Sequence, residues 1–347
     1  MGALAMPRWR ESVIGCLLLA SLAAHVEAAS ERQVTDDSGQ SVMVPAEPMR
    51  IADAWYAHHV LLMTLGAGPR IVATVNHARS QPWMFKVLPS LNQATSVEGT
   101  AFNVEGLLAD HIDLVFTSTG DRQALAYQQV GLPVMRMGYT DLAGLQRSML
   151  ATAQALGSAQ TMARAEAYNH YLNTALGNVQ NKVAPLTREQ RPRVLHIASV
   201  NPLKIDGSDT LIDDWITIAG GRNAAMGLEG NMQVVSAEQV LAWQPDVVIL
   251  AASASDLSQA AQAPLLAQLN AVKAGRVLRN PAGVFPWDRY GTEVALQIQW
   301  AAQQLHPELF SGVDMVDRTV DFYRQFFDYT LSEADARLIL QGLPPTR

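Results

Sequence analysis

The sequence predicts an α/β protein of two similar lobes with mainly parallel sheets, joined by one long rigid helix, with a ligand cleft between the lobes. Three observations lead there. Short apolar strands alternate with helical stretches along most of the chain, which is the pattern of parallel βαβ layers. One helix-then-strand unit is written twice, as "NVEGLLADHIDLVF" at 103–116 and "SAEQVLAWQPDVVI" at 236–249. Between the copies runs a proline-free stretch, "SAQTMARAEAYNHYLNTALGNVQNK", with helical spacing of its apolar residues.

Taken in order, "RQVTDDSGQSVMVP" reads as a hairpin, with apolar alternation around an Asp-Asp-Ser-Gly turn. "MRIADA" is a strand, "YAHHVLLMTLGAG" a helix closed by glycines, and "RIVATV" the next strand. The first twin unit leads into the strand "DLVFT", then the helix "RQALAYQQVG" and the strand "LPVMRM". The order returns after residue 190. "RVLHIAS" is a strand, "TLIDDWITIAGG" a helix ending in glycines, and the second twin unit leads into "DVVILAA", "APLLAQLNAV" and "GRVLRN".

The central stretch has Ser158 as its N-cap and Pro185 beyond its end, with Met162, Ala165, Asn169, Leu172, Leu176 and Val179 on one face. At 1.5 Å per residue it spans roughly 40 Å, about the width of a lobe, and acts as a stiff strut. The expected division is a leader at 1–28, an N-terminal lobe at 29–157, the connecting helix at 158–183 and a C-terminal lobe at 190–347.

Composition narrows the class. The 347 residues are 49% apolar and 16% charged, enough for two packed cores. A net charge of −7 without a basic tract disfavours nucleic acid. Residues 1–28 have the layout of a secretory signal: Arg8 and Arg10, an apolar run from 13 to 24, and small residues before a cut between Ala28 and Ala29. Cys16, the single cysteine, lies inside it, so an exported form has no disulfide or thiolate ligand. The expected location is the periplasm.

An exported chain with two α/β lobes and one connecting helix resembles the solute-binding proteins of metal-chelate ABC importers, which serve iron–siderophores, haem, cobalamin and related complexes. The resemblance covers nearly all of the chain after the leader. It is most specific in the twin units and in "FPWDRYGTEVALQIQWAAQQLHPELF". It implies that the glutamate of each twin unit, Glu105 and Glu238, lies on the outer face of its lobe and grips arginines of a dimeric membrane permease. The alternative is that both are ordinary helix-start charges. It further implies a monomer with no permanently bound cofactor, carrying a metal chelate as cargo. A ferric siderophore is favoured, with nickel complexes, haem, cobalamin and molybdate also open.

Ligands of open α/β sheets sit beyond the carboxyl ends of the strands. That rule selects Trp55, Tyr56, His58 and His59 after the first strand, His77, Arg79 and Trp83 after the second, then Arg122 and Tyr139. From the second lobe it selects Asn201, Lys204, Asn231 and Met232. Trp287 and Arg289 unite an aromatic surface with a forked cation in one loop, where Asp288 could hold the arginine. His58 and His59 are tentative metal ligands, although adjacent helical residues point about 100° apart. His196 reads as core and His306 as a helix end. Two other functions compete. Direct capture of Zn or Mn needs three or four converging ligands. An exported enzyme finds no nucleophile elbow, no H-E-x-x-H, no phosphate loop and no evident carboxylate pair.

Overall fold

The computed structural model describes residues 1–2 and 31–346. The expected signal segment therefore falls almost wholly outside the described residues.

The first lobe is built on β3 (Ile51–Asp53), β4 (Ile71–Thr74), β5 (Thr95–Ser96), β6 (Leu114–Ser118) and β7 (Val134–Met137). They lie in the order β5-β4-β3-β6-β7, every neighbouring pair parallel. The chain starts in the middle, winds to one edge, then returns to the other side of β3. The switch point thus lies between β3 and β6, where a crevice opens beyond the strand ends. The expected hairpin, β1 (Glu31–Thr35) and β2 (Ser41–Pro45), forms a separate antiparallel pair. Its turn is pinned to β7: Asp36 Oδ2 accepts the Arg136 amide at 3.1 Å and Asp37 Oδ2 the Gly138 amide at 2.9 Å.

The second lobe holds β8 (Arg193–Val200), β9 (Leu203–Ile205), β10 (Arg222–Asn223), β11 (Gln233–Val234), β12 (Val247–Leu250) and β13 (Val277–Arg279). Strands β10, β8, β12 and β13 run parallel, while at one edge β9 pairs antiparallel with β8 and β11 pairs antiparallel with β9.

The written repeat is repeated in atoms. The helices Val104–Ala109 and Ala237–Trp243 start under side-chain caps from Asn103 and Ser236. Each is followed by a left-handed residue, His111 at φ 48° and Gln244 at φ 43°. Each unit's aspartate then fixes the start of the central strand of its sheet. Asp113 Oδ2 accepts the Arg50 amide at 2.9 Å, and Asp246 Oδ2 accepts the Arg193 amide at 2.7 Å. The aspartate orders the strand entry by a charge-assisted bond to main chain.

The connecting helix runs Ala159–Val183, with Ser158 Oγ accepting the Thr161 amide at 3.1 Å. Its buried stripe is Thr161, Ala165, Tyr168, Leu172, Ala175, Val179 and Val183. The stripe read from sequence shares Ala165, Leu172 and Val179 with it; Met162, Asn169 and Leu176 are only half-buried. Tyr168 explains the rotation, because its hydroxyl donates to the Thr292 carbonyl at 2.8 Å inside the core. The helix is also not the sole joint. One hydrophobic core runs from Val60 and Leu61 through Leu172 to Val284, Trp287 and Leu296, crossing both lobes. Close-packed interiors of this kind resist sliding, so the lobes are stiffened by packing as well as by the strut.

Candidate functional site

A cleft of about 630 Å³ opens between the lobes at the carboxyl ends of β6 and β7. The loop after β3 brings Trp55, the loop after β7 brings Tyr139, and the second lobe contributes Tyr290. The three rings form one cluster: Trp55 to Tyr139 and Tyr139 to Tyr290 are each 5.6 Å between centroids, and Trp55 to Tyr290 is 6.5 Å. The Tyr139 hydroxyl donates across the gap to the Tyr290 carbonyl, and burial pushes its pKa well above the ordinary tyrosine value, so it acts as a neutral donor. Apart from Met137 and Gly138 the remaining wall is polar, with Asp37, Ser118, Thr119, Asp141 and exposed Arg147 among its residues. Gly138 permits the tight meeting of the strand ends, since a Cβ there would stand 2.7 Å from the Thr119 hydroxyl.

Tyr290 is the second lobe's contribution to the lining, and a charged cluster adjoins it. The Tyr290 hydroxyl accepts from Asn231, and the neighbouring Arg289 donates from both terminal nitrogens to Asp206, each at 3.0 Å. The Arg289 side chain stays 18% exposed over this buried carboxylate. A guanidinium anchored through both terminal nitrogens, beside tilted and edge-on aromatic rings, is suited to a flat or anionic ligand at its outer edge.

A family model described as "Periplasmic binding protein" matches residues 54–282. The chain belongs to that family. Among curated proteins, the Haemophilus influenzae molybdate-binding protein MolA is 24% identical over 342 residues, covering 91% of this chain and 96% of MolA. Among solved structures, a periplasmic solute-binding protein from Veillonella parvula covers 90% of this chain and 97% of its own, with a TM-score of 0.76 and 24% identity. Helicobacter pylori CeuE with Ni(II) bound covers 89% and 100%, with a TM-score of 0.74 and 19% identity. The two-lobe α/β architecture with its long helix is thus that of periplasmic binding proteins.

Within this periplasmic binding protein the selected residues divide sharply. Trp55 and Tyr139 meet in the cleft. Tyr56 is not among the cleft-lining residues; it is 38% exposed, with its hydroxyl donating to the Gly99 carbonyl at 3.2 Å. His77 Nε2 donates to the Val97 carbonyl at 3.0 Å, Arg79 pairs with Glu98 at 2.7 Å, and Arg122 is exposed. Asn201 sits at the β8–β9 turn, bonded to Gln259 and Ala261, and lines a separate 150 Å³ pocket.

Four expectations need correction. Trp287 is fully buried; its indole donates to Glu293 at 2.9 Å, so it supports the loop from below and offers no ligand surface. Trp83 is likewise buried and donates to the Leu343 carbonyl at 2.9 Å, tying the N-lobe to the C-terminal segment. His58 is buried between Asp53 and Thr152, both at 3.0 Å. His59 is buried with Nε2 2.7 Å from the Thr74 hydroxyl and Nδ1 3.2 Å from Asp53, and burial lowers its pKa. All four ring nitrogens are engaged, so neither histidine presents a lone pair to an ion. Nor is any group of three or more His, Cys, Asp or Glu side chains among the described residues arranged to hold a metal ion. Asp288 also differs from expectation: its nearest approach to Arg289 is 3.9 Å, and Asp206 makes the fork instead.

Sequence reasoning missed Tyr290, Arg147 and Asp206. Tyr290 stood inside the quoted "FPWDRY" segment and was the one signal available. Asp206 follows an antiparallel strand that the reading of β8 did not contain.

Proposed function

We propose that this chain is the substrate-binding subunit of an ABC importer, which captures a small anionic metal chelate between its lobes and delivers it to a membrane permease. A ferric siderophore is the first choice of cargo. The observation that carries the reading is the 630 Å³ cleft at the sheet switch point, walled by three aromatic rings from both lobes. The volume is in the range of small-molecule sites. The rings favour an organic surface, and exposed Arg147 on the lining supplies positive charge, with Arg289 adjoining it beside Tyr290. The metal travels as cargo inside its chelate and is no resident cofactor.

Glu105 and Glu238 support the delivery step. Both are exposed in the first turn of the matched helices, and neither has an ion-pair partner among the described residues. The same proposal has residues 1–28 as the export signal and the mature chain acting as a monomer in the periplasm. A second reading, a bare metal oxyanion as cargo, is favoured by the similarity to the molybdate-binding protein MolA.

A tryptophan-fluorescence titration against ferric chelates, nickel complexes and molybdate tests this. The cargo should quench wild type, and Trp55→Phe should abolish most of the quench, since Trp83 and Trp287 are buried. Saturable quenching by molybdate alone would select the second reading. No response to any compound would end both.

A further inference from the structure

We propose that His196, as a buried imidazolium, is the positioning residue that holds Arg289 ready for an anionic ligand, so that anion affinity falls when His196 loses its proton. This rests on the reading above, in which an anion is bound beside Tyr290 and Arg289.

His196 lies in mid-β8 with no solvent exposure. Its Nδ1 is 2.8 Å from Asp206 Oδ2 and its Nε2 is 2.7 Å from Asp288 Oδ2. A neutral imidazole has one N–H and can satisfy only one of these contacts. The other would press a nitrogen lone pair against a carboxylate oxygen. An imidazolium donates to both. Burial by itself would lower the pKa, yet the two carboxylates prevail and raise it.

Asp206 serves two cations at once. Besides His196 it accepts the Arg289 fork, and its Oδ1 takes the Met232 amide at 2.9 Å. Burial would raise its acid, but His196 and Arg289 hold it well below the usual carboxylate range. Asp288 has less support. Its Oδ1 is buried without a protein donor, so the proton on His196 is what balances its charge. Two carboxylates, one imidazolium and one guanidinium sum to zero. Removing the His196 proton leaves a net negative charge under Arg289 and a carboxylate with no second cation, which draws the guanidinium inward and repels an anion at its outer edge.

Other groups around His196 do not replace it. In register on β12 is Ile249, and the Trp215 ring meets the imidazole edge-on at 6.1 Å. On the same helix as Trp215, Asp214 accepts the Leu142 amide across the lobes and Asp213 is turned to Asn223. The Tyr290 hydroxyl is held by Asn231.

The test is calorimetric titration of the purified protein with molybdate and with ferric catecholate between about pH 6.5 and pH 9, alongside NMR titration of the His196 ring proton. Molybdate keeps one charge state over this range. Wild-type affinity should fall about tenfold or more as His196 deprotonates, the equivalent of a one-unit linkage. His196→Gln should bind weakly at every pH with a flat profile. Asp288→Asn, which leaves the imidazole in place, should move the fall to lower pH and covers the case of a misfolded glutamine variant. A flat wild-type profile, an unchanged slope in His196→Gln, or a ring found neutral throughout overturns the proposal. If neither probe binds wild type while the ring titrates as described, the cargo reading is what has failed, and the claim about Arg289 falls with it.

Discussion

Glu293 is buried, and four donors converge on it. Oε1 accepts from the Trp287 indole at 2.9 Å, the Tyr323 hydroxyl at 2.7 Å and the Val284 amide at 3.3 Å, and Oε2 accepts from the Phe285 amide at 2.8 Å. This carboxylate fixes the loop that ends in Arg289 and Tyr290. Burial pushes its pKa up to about 7, against the pull of the donors. The folded value lies above the ordinary carboxyl value of 4.5, so the folded state binds this proton more tightly. The associated stability is full below about pH 4.5 and is lost as pH rises through about 7, an effect of order 3 kcal/mol. Urea unfolding midpoints should therefore drop between pH 5 and pH 8 in wild type, and Glu293→Gln should flatten that slope. Equal slopes in the two proteins would show that Glu293 does not titrate as described. Its pocket is also tight: a Cβ on Gly283 would come within 2.1 Å of both Oε1 and the Tyr323 oxygen.

At the scale of the element, the twin units are devices for starting a strand. A capped helix, a left-handed residue and an aspartate follow one another, and the aspartate ties the incoming strand to an amide at the start of the central strand. Removing either carboxylate leaves a main-chain N–H to water at the strand start. We expect Asp113→Ala and Asp246→Ala each to cost about 1 kcal/mol in urea unfolding. The asparagine variants should recover part of the loss, because the amide oxygen still accepts. Matching effects at the two sites would mean that the repeat is mechanical; an effect at one site alone would mean that the sequence likeness outlived its role.

Over the whole molecule, a core that crosses from Val60 to Trp287 limits lobe movement to small shifts. Further ties act in the same sense: Leu142 donates to Asp214 at 3.0 Å, Thr64 meets Thr292 at 2.8 Å, and Lys86 pairs with Asp335 at 3.0 Å. Release of cargo from so stiff a body calls for force applied to both lobes, which is the task proposed for Glu105 and Glu238. Exposed ion pairs contribute only about 0–1 kcal/mol each, so the docking should be salt-sensitive. Replacing both glutamates with alanine should abolish uptake in cells while leaving the dissociation constant of the purified protein unchanged. A loss of affinity in that double variant would place the acids at the ligand and defeat the docking assignment.

The sequence by itself determined the alternation of strands and helices, the duplicated unit and the connecting helix, because hydrophobic period, caps and breakers act over a few neighbours. It also marked the loop holding Arg289 and the residues Trp55 and Tyr139. What it left undecided was the direction of each loop side chain. Trp287 and Tyr290 are three residues apart, yet Glu293 draws one into the core while the other completes the cleft. Arg289 and Asp206 meet although 83 residues separate them, and His58 and His59 are consumed by Asp53, Thr152 and Thr74. Such outcomes depend on partners brought close only when the sheets and both lobes have packed, and tertiary structure alone decided them.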